Sequence, residues 1–168
     1  LTDLPKDLDA EAMVEGKVRN ARIWTDGTRN LIAAAKAAGA RRAIAQSLTW
    51  LYAPGPEPHV EDDSLGTADP GLQIVLEAVE TLERTVLETQ PLQGIVLRFG
   101  LLYGPGTSSE GPQGICPLHV EAAAQAALLA IKSAMPGIYN IADDNVPVST
   151  RKAQLELGWN PDFRRTRL

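Results

Sequence analysis

The chain has 168 residues, 44% hydrophobic and 22% charged, which is the make-up of one globular domain with a sizeable core. Its formal net charge of -5 argues against a nucleic-acid groove, and its single cysteine, Cys116, excludes an internal disulfide and a cysteine-based zinc site. No apolar run approaches the ~20 residues needed to cross a bilayer and no signal peptide opens the chain, so a cytoplasmic protein without membrane or nucleic-acid partners is expected.

The first element is a helix from about Asp9 to Ala38, begun by acidic residues and stopped by Gly39. Val14, Val18, Ala21, Trp24, Thr28, Leu31, Ile32 and Ala35 give it one apolar stripe. Gly27 interrupts that stripe, and close packing on a sheet would compensate for it. Arg42 to Ser47 reads as a buried strand. Residues 53 to 70, with Pro54, Gly55, Pro56 and Pro58, form a loop in which Glu61, Asp62 and Asp63 are solvated and His59 is exposed. A helix follows from Leu72 to Thr89, then a strand from Gly94 to Phe99 and a turn at Tyr103-Gly104-Pro105-Gly106. A third helix, Val120 to Lys132, a strand, Gly137 to Ile141, and a short helix, Ser149 to Leu157, complete the order. Strands alternating with helices predict an α/β, Rossmann-like, doubly wound parallel sheet. Three strands are few for that class, and no glycine-rich phosphate turn precedes the first helix, so the sheet is expected to be incomplete.

Four segments in order carry a resemblance. They are Gly27-Thr28-Arg29-Asn30-Leu31-Ile32 with Ala38-Gly39-Ala40-Arg41-Arg42, Leu97-Arg98 leading to Leu102-Tyr103-Gly104-Pro105-Gly106, His119-Val120-Glu121, and Leu157-Gly158-Trp159-Asn160-Pro161. Together they resemble the extended short-chain dehydrogenase/reductases, the NAD-dependent epimerase/dehydratase group. The resemblance implies that residues 1-148 are the C-terminal portion of a Rossmann-like NAD(P)-binding domain and 149-168 a remnant of the small C-terminal substrate lobe. It implies NAD or NADP as cofactor, with Leu1, Thr2, Gln46, Ser47, Phe99, Gly100 and Leu101 near it, and a homodimer through the two long helices.

The same resemblance exposes a gap. The family performs its acid/base chemistry with a Tyr and a Lys four residues later. Aligning Glu83 with the family's helix glutamate puts Val75 and Val79 at those positions, and no Tyr-x-x-x-Lys occurs anywhere in the chain. Neither valine can move a proton. The residues left to contact a substrate oxygen are Ser47 and Thr49 at the strand end, with Tyr52 as a displaced acid. Arg98 serves either an anionic ligand or the fold, and Leu101 stands where nucleotide-sugar epimerases carry an Asn. His119 is read as a local hydrogen-bonding residue, and Asp143-Asp144 as a solvated strand end rather than a metal site. Two functions remain open: an atypical NAD(P)-dependent oxidoreductase acting on a small carbonyl or sugar-like substrate, or a dinucleotide-binding sensor or interaction module without turnover.

Overall fold

A computed structural model describes residues 10–133, 135–144 and 146–165. The first helix is one rod in three parts: α1 (Ala10–Arg22), a single π turn (Ile23–Gly27) and α2 (Thr28–Ala37). Gly39, at φ 70°, ends it in the left-handed region where a glycine avoids the Cβ penalty. The expected apolar stripe is only partly used. Ala21 and Ile32 are buried, whereas Val14, Val18 and Leu31 are exposed, because the rod leans on the next long helix, α3 (Gln73–Glu88), rather than lying across the strands. Gly27 does not pack on the sheet either. It closes the π turn, where an added Cβ would meet only the Ile23 side chain of the same rod.

β1 (Arg42–Leu48), β2 (Gln93–Phe99) and β5 (Gly137–Ile141) form a parallel sheet in the order β1-β2-β5. β1 and β2 pair from Arg42↔Gln93 to Leu48↔Phe99, and β2 and β5 from Ile95↔Gly137 to Phe99↔Ile141. β2 is central and buried from Gly94 onward, as its continuous apolar run requires. On one face α3 (Gln73–Glu88) and Ile32 of α2 enclose Val86 and Val96. On the other, α4 (Val120–Ser133) and α5 (Arg151–Leu157) close over Ile95, Leu97, Tyr139 and Ile141, with Trp159 donating its indole N–H to the Ala122 carbonyl at 2.9 Å. The doubly wound, partial α/β sheet is therefore as expected.

One short pair was not anticipated. β3 (Leu101–Tyr103) and β4 (Pro117–His119) make a separate parallel two-stranded sheet, each strand being too short to show a period. Among the described residues β1 has β2 as its one ladder partner, and a groove of about 540 Å³ follows its other side, lined by Trp24, Leu31, Gln46, Leu48 and Val79. No helix among the described residues is long and apolar enough to cross a membrane.

Where β2 enters the sheet it passes directly under the end of α3. A Cβ at Gly94 would run into the Val86 carbonyl and crowd Leu87 Cα. Because the obstacle is backbone, Gly94→Ala is expected to cost roughly 1–3 kcal/mol, read as a lower midpoint in thermal or urea unfolding. An unchanged midpoint would show that α3 and β2 separate freely.

Candidate active site

In open parallel sheets ligands bind beyond the carboxyl ends of the strands. Here those ends are knitted together by backbone bonds. Thr49 N–H donates to Phe99 O (3.1 Å), Gly100 N–H to Ile141 O (2.9 Å) and Leu101 N–H to Cys116 O (2.6 Å). Gly100 permits this, since a Cβ there would collide with the Cys116 carbonyl. Phe99 is buried behind the turn, while Leu101 is 40% exposed.

Behind the strand ends lies a buried polar chain. Glu83, on α3, receives a bidentate pair from Arg98 on β2, Nε to Oε1 at 2.9 Å and Nη2 to Oε2 at 2.7 Å. The Ser47 hydroxyl donates to the same carboxylate at 2.6 Å. Arg98 Nη1 donates to the Tyr52 hydroxyl at 2.7 Å, and that hydroxyl donates to Asn140 Oδ1 at 2.8 Å. The Asn140 backbone N–H donates to Glu61 Oε1 at 2.9 Å. Burial opposes the Arg98 charge, but hydrogen bonding and attraction to Glu83 and the contact with Tyr52 prevail and raise its pKa. Burial also raises the Tyr52 pKa, with Arg98 and Asn140 working the other way. Arg98 thus has its fold-holding role in view, paired with Glu83.

Two readings of the loop are corrected here. Glu61 is not solvated: it is buried and caps the Asn140 N–H. His59 is only 8% exposed. Its ring stacks on Tyr52 (centroids 4.9 Å apart, planes 5° apart) and its Nδ1 lies 3.1 Å from Asp63 Oδ2. His59 is held by the chain as well, through His59 N–H to Pro147 O and Ser149 N–H to His59 O. The Glu61–Asn140 contact spans 79 residues and the Pro147 segment is comparably remote from His59, so no local pattern announces those two.

The positions aligned with the family's Tyr and Lys are dry. Val75 and Val79 are 7% and 1% exposed and share an apolar cluster with Leu51, flanked by Trp24, Leu48 and Trp50. Ser47 at 2% exposure is committed to Glu83, and Gln46, on the opposite face of the strand, is exposed along the β1 groove. Thr49 and Tyr52 are brought together at a different place, a cavity of about 290 Å³ also lined by Trp50, Glu57, His59 and Cys116. Burial pushes the Cys116 thiol up, a hydrogen bond with Thr49 opposes that and the charge of Glu57 adds to it, so the thiol stays protonated. Leu1 and Thr2 lie outside the described residues.

Farther along, Tyr103 donates to Asp143 Oδ2 at 2.8 Å, and the same carboxylate accepts the His119 N–H at 3.3 Å. His119 Nδ1 accepts the Glu121 N–H at the start of α4, a local structural bond. Asp143 is therefore engaged in joining β5 to β4.

No family model matches the sequence. The chain is 35% identical over 174 residues to a Streptomyces 3-diazoavenalumate denitrifying reductase, covering 90% of this chain and 55% of that protein. The chain spans about half the length of that relative. Among solved structures it resembles RMD from Pseudomonas aeruginosa complexed with NADPH, with a TM-score of 0.75 at 17% identity over 96% of this chain and 75% of that one. It also resembles the dTDP-glucose 4,6-dehydratase DesIV from Streptomyces venezuelae with NAD bound, with a TM-score of 0.72 at 14% identity over 95% of this chain and 67% of that one. With the parallel β1-β2-β5 sheet, its covering helices and these neighbours together, the chain has the fold of the extended short-chain dehydrogenase/reductases, the NAD-dependent epimerase/dehydratase group.

Proposed function

We propose that this chain is the substrate-side part of an NAD(P)-dependent reductase that delivers hydride without an enzymic Tyr-Lys proton donor, acting on a diazo-bearing substrate. The observation that carries the reading is the packing of Val75 and Val79 with Leu51, which leaves no titratable group where the fold's acid and its lysine would stand. A carbonyl acceptor needs a proton as well as a hydride, and neither valine can supply it. The name of the Streptomyces relative supplies the complementary chemistry, since a denitrifying reductase of a diazo compound replaces nitrogen rather than reducing an oxygen.

The nicotinamide end of the cofactor is assigned to the carboxyl ends of β1 and β2, where exposed Gln46 offers an amide. Leu48, Gln46 and the Phe99-Gly100-Leu101 turn are the described residues that would hold the ring. The sequence carries no glycine-rich turn for the pyrophosphate, so these residues are assigned the ring alone. Bound NAD(P)H would supply one hydride, and at a diazonium carbon the new C–H bond forms as the C–N electron pair leaves on N₂, with no proton required. Thr49, Trp50 and Cys116 bound the space for the acceptor. Ser47 and Tyr52, tied to Glu83, Arg98 and Asn140, hold the strand ends in register, so their part is positioning.

The same reading places the protein in the cytoplasm with its NAD(P)H supply and treats residues 149-168 as a reduced substrate lobe rooted in the main core by Leu157 and Trp159. A homodimer through α1 and α3 is supported by the exposed Met13, Val14 and Val18 on the first and Ile74 on the second.

The test uses the full-length protein with deuteride-labelled NADH or NADPH and an aryl diazonium salt. Deuterium from the cofactor is expected in the product, with N₂ released and no label taken from D₂O at that carbon. Solvent label there, or no cofactor binding, defeats the proposal. Cofactor binding without turnover on diazonium and carbonyl substrates would favour the sensor.

A further inference from the structure

We propose that the cavity lined by Trp50 and His59 binds a single-ring aromatic cation and that Glu57 selects its charge, an inference that rests on the reductase reading above. Its volume, about 290 Å³, is at the bottom of the roughly 300–1,000 Å³ range of small-molecule sites and too small for a nucleoside diphosphate sugar. Its charge points the same way. Glu57 lines it, and among the described residues no Lys or Arg does. A diphosphate would meet a carboxylate and find no partner. Arg98, the guanidinium close to this wall, lies 5.0 Å from the centre of the Tyr52 ring and is already bound to both oxygens of Glu83.

The walls favour a flat ring. Trp50 offers an indole that is partly exposed, whereas the Tyr52 ring is engaged by His59 and by Arg98. Pro54 and Pro147 are rigid flanks, and His59 cannot swing aside while Asp63 and the stacked Tyr52 hold it. Glu57 and Cys116 both line the cavity, so the carboxylate's charge is felt inside it as well as in solvent. An aromatic face beside a carboxylate in a concave site attracts cations and is neutral or adverse toward anions. An arenediazonium is a single-ring aromatic cation.

The test is a binding measurement needing neither cofactor nor turnover. Phenyltrimethylammonium, its neutral isostere tert-butylbenzene, benzoate and UDP-glucose are titrated into the full-length protein and followed by ligand NMR. The cation is expected to bind about tenfold more tightly than the isostere, and Glu57→Gln to bring the two within about twofold. Glu57 is exposed, so the variant should fold, and the wild-type comparison is decisive without it. Equal affinity for cation and isostere, a preference that survives Glu57→Gln, or displacement by UDP-glucose would each overturn the inference. If the cation preference holds but no diazonium is reduced, the reductase reading fails alone. If diazonium is reduced without the preference, the cavity assignment fails alone.

Discussion

Glu83→Gln is expected to lower stability by roughly 3–5 kcal/mol in urea unfolding, because it leaves the Arg98 guanidinium charged and buried without its partner. Side-chain exposure is 7% for Glu83 and 4% for Arg98, and their closest approach is 2.7 Å. The carboxylate also accepts Ser47, so one substitution disturbs α3, β1 and β2 together. The loss falls on the fold before it falls on the chemistry. Adding Arg98→Met to Glu83→Leu removes both charges and is expected to recover most of it, since a buried ion pair exchanged whole for apolar side chains is often near neutral. Tyr52 then loses the Arg98 donor but keeps Asn140 as acceptor. A Glu83→Gln loss below about 1 kcal/mol would mean that water reaches the pair, and the buried chain from Ser47 to Glu61 would have to be abandoned.

Much of the fold was legible because buried parallel strands leave continuous apolar runs and helices leave caps. Arg42 to Ser47, Gly94 to Phe99 and Gly137 to Ile141 were placed within a residue or so of β1, β2 and β5 for that reason. The π turn was hidden, because one extra residue in a helix changes which side chains face inward without changing composition. The site divided along the same line. Glu83 and Arg98 are 15 residues apart, and their pairing depends on α3 crossing β2, which no local window contains. Glu61 looked like one of three solvated acids, yet its partner is a backbone N–H 79 residues away. His59 is covered by its near neighbour Tyr52 and also by the Pro147 segment, which comes from far along the chain. What the sequence did show was an absence, the two valines, and local chemistry suffices for that.

Restoring the missing pair is not expected to restore its chemistry, and Val79→Lys shows why. Val79 is 1% exposed among Leu51, Trp24 and Leu48, and Glu83, one turn along α3, is already committed to Arg98 and Ser47. An ammonium there must either stay charged without water or fold in its neutral form, so its folded-state pKa is depressed below the ordinary ~10.4. The sign follows. The unfolded chain binds the proton and the folded one gives it up, so the penalty grows as pH falls below ~10.4 by about 1.4 kcal/mol per unit, down to the depressed value. At neutral pH the cost is roughly 4–5 kcal/mol, and stability should rise steadily as pH is raised toward 10. Val79→Met, similar in length but uncharged, is expected to cost less than about 2 kcal/mol and to show no such slope. Urea unfolding of the two variants across that pH range is the measurement. A Val79→Lys protein as stable as Val79→Met at neutral pH would mean that the cluster admits water. The site would then be a weakened form of the usual acid/base centre, rather than one built to transfer hydride where no proton is wanted.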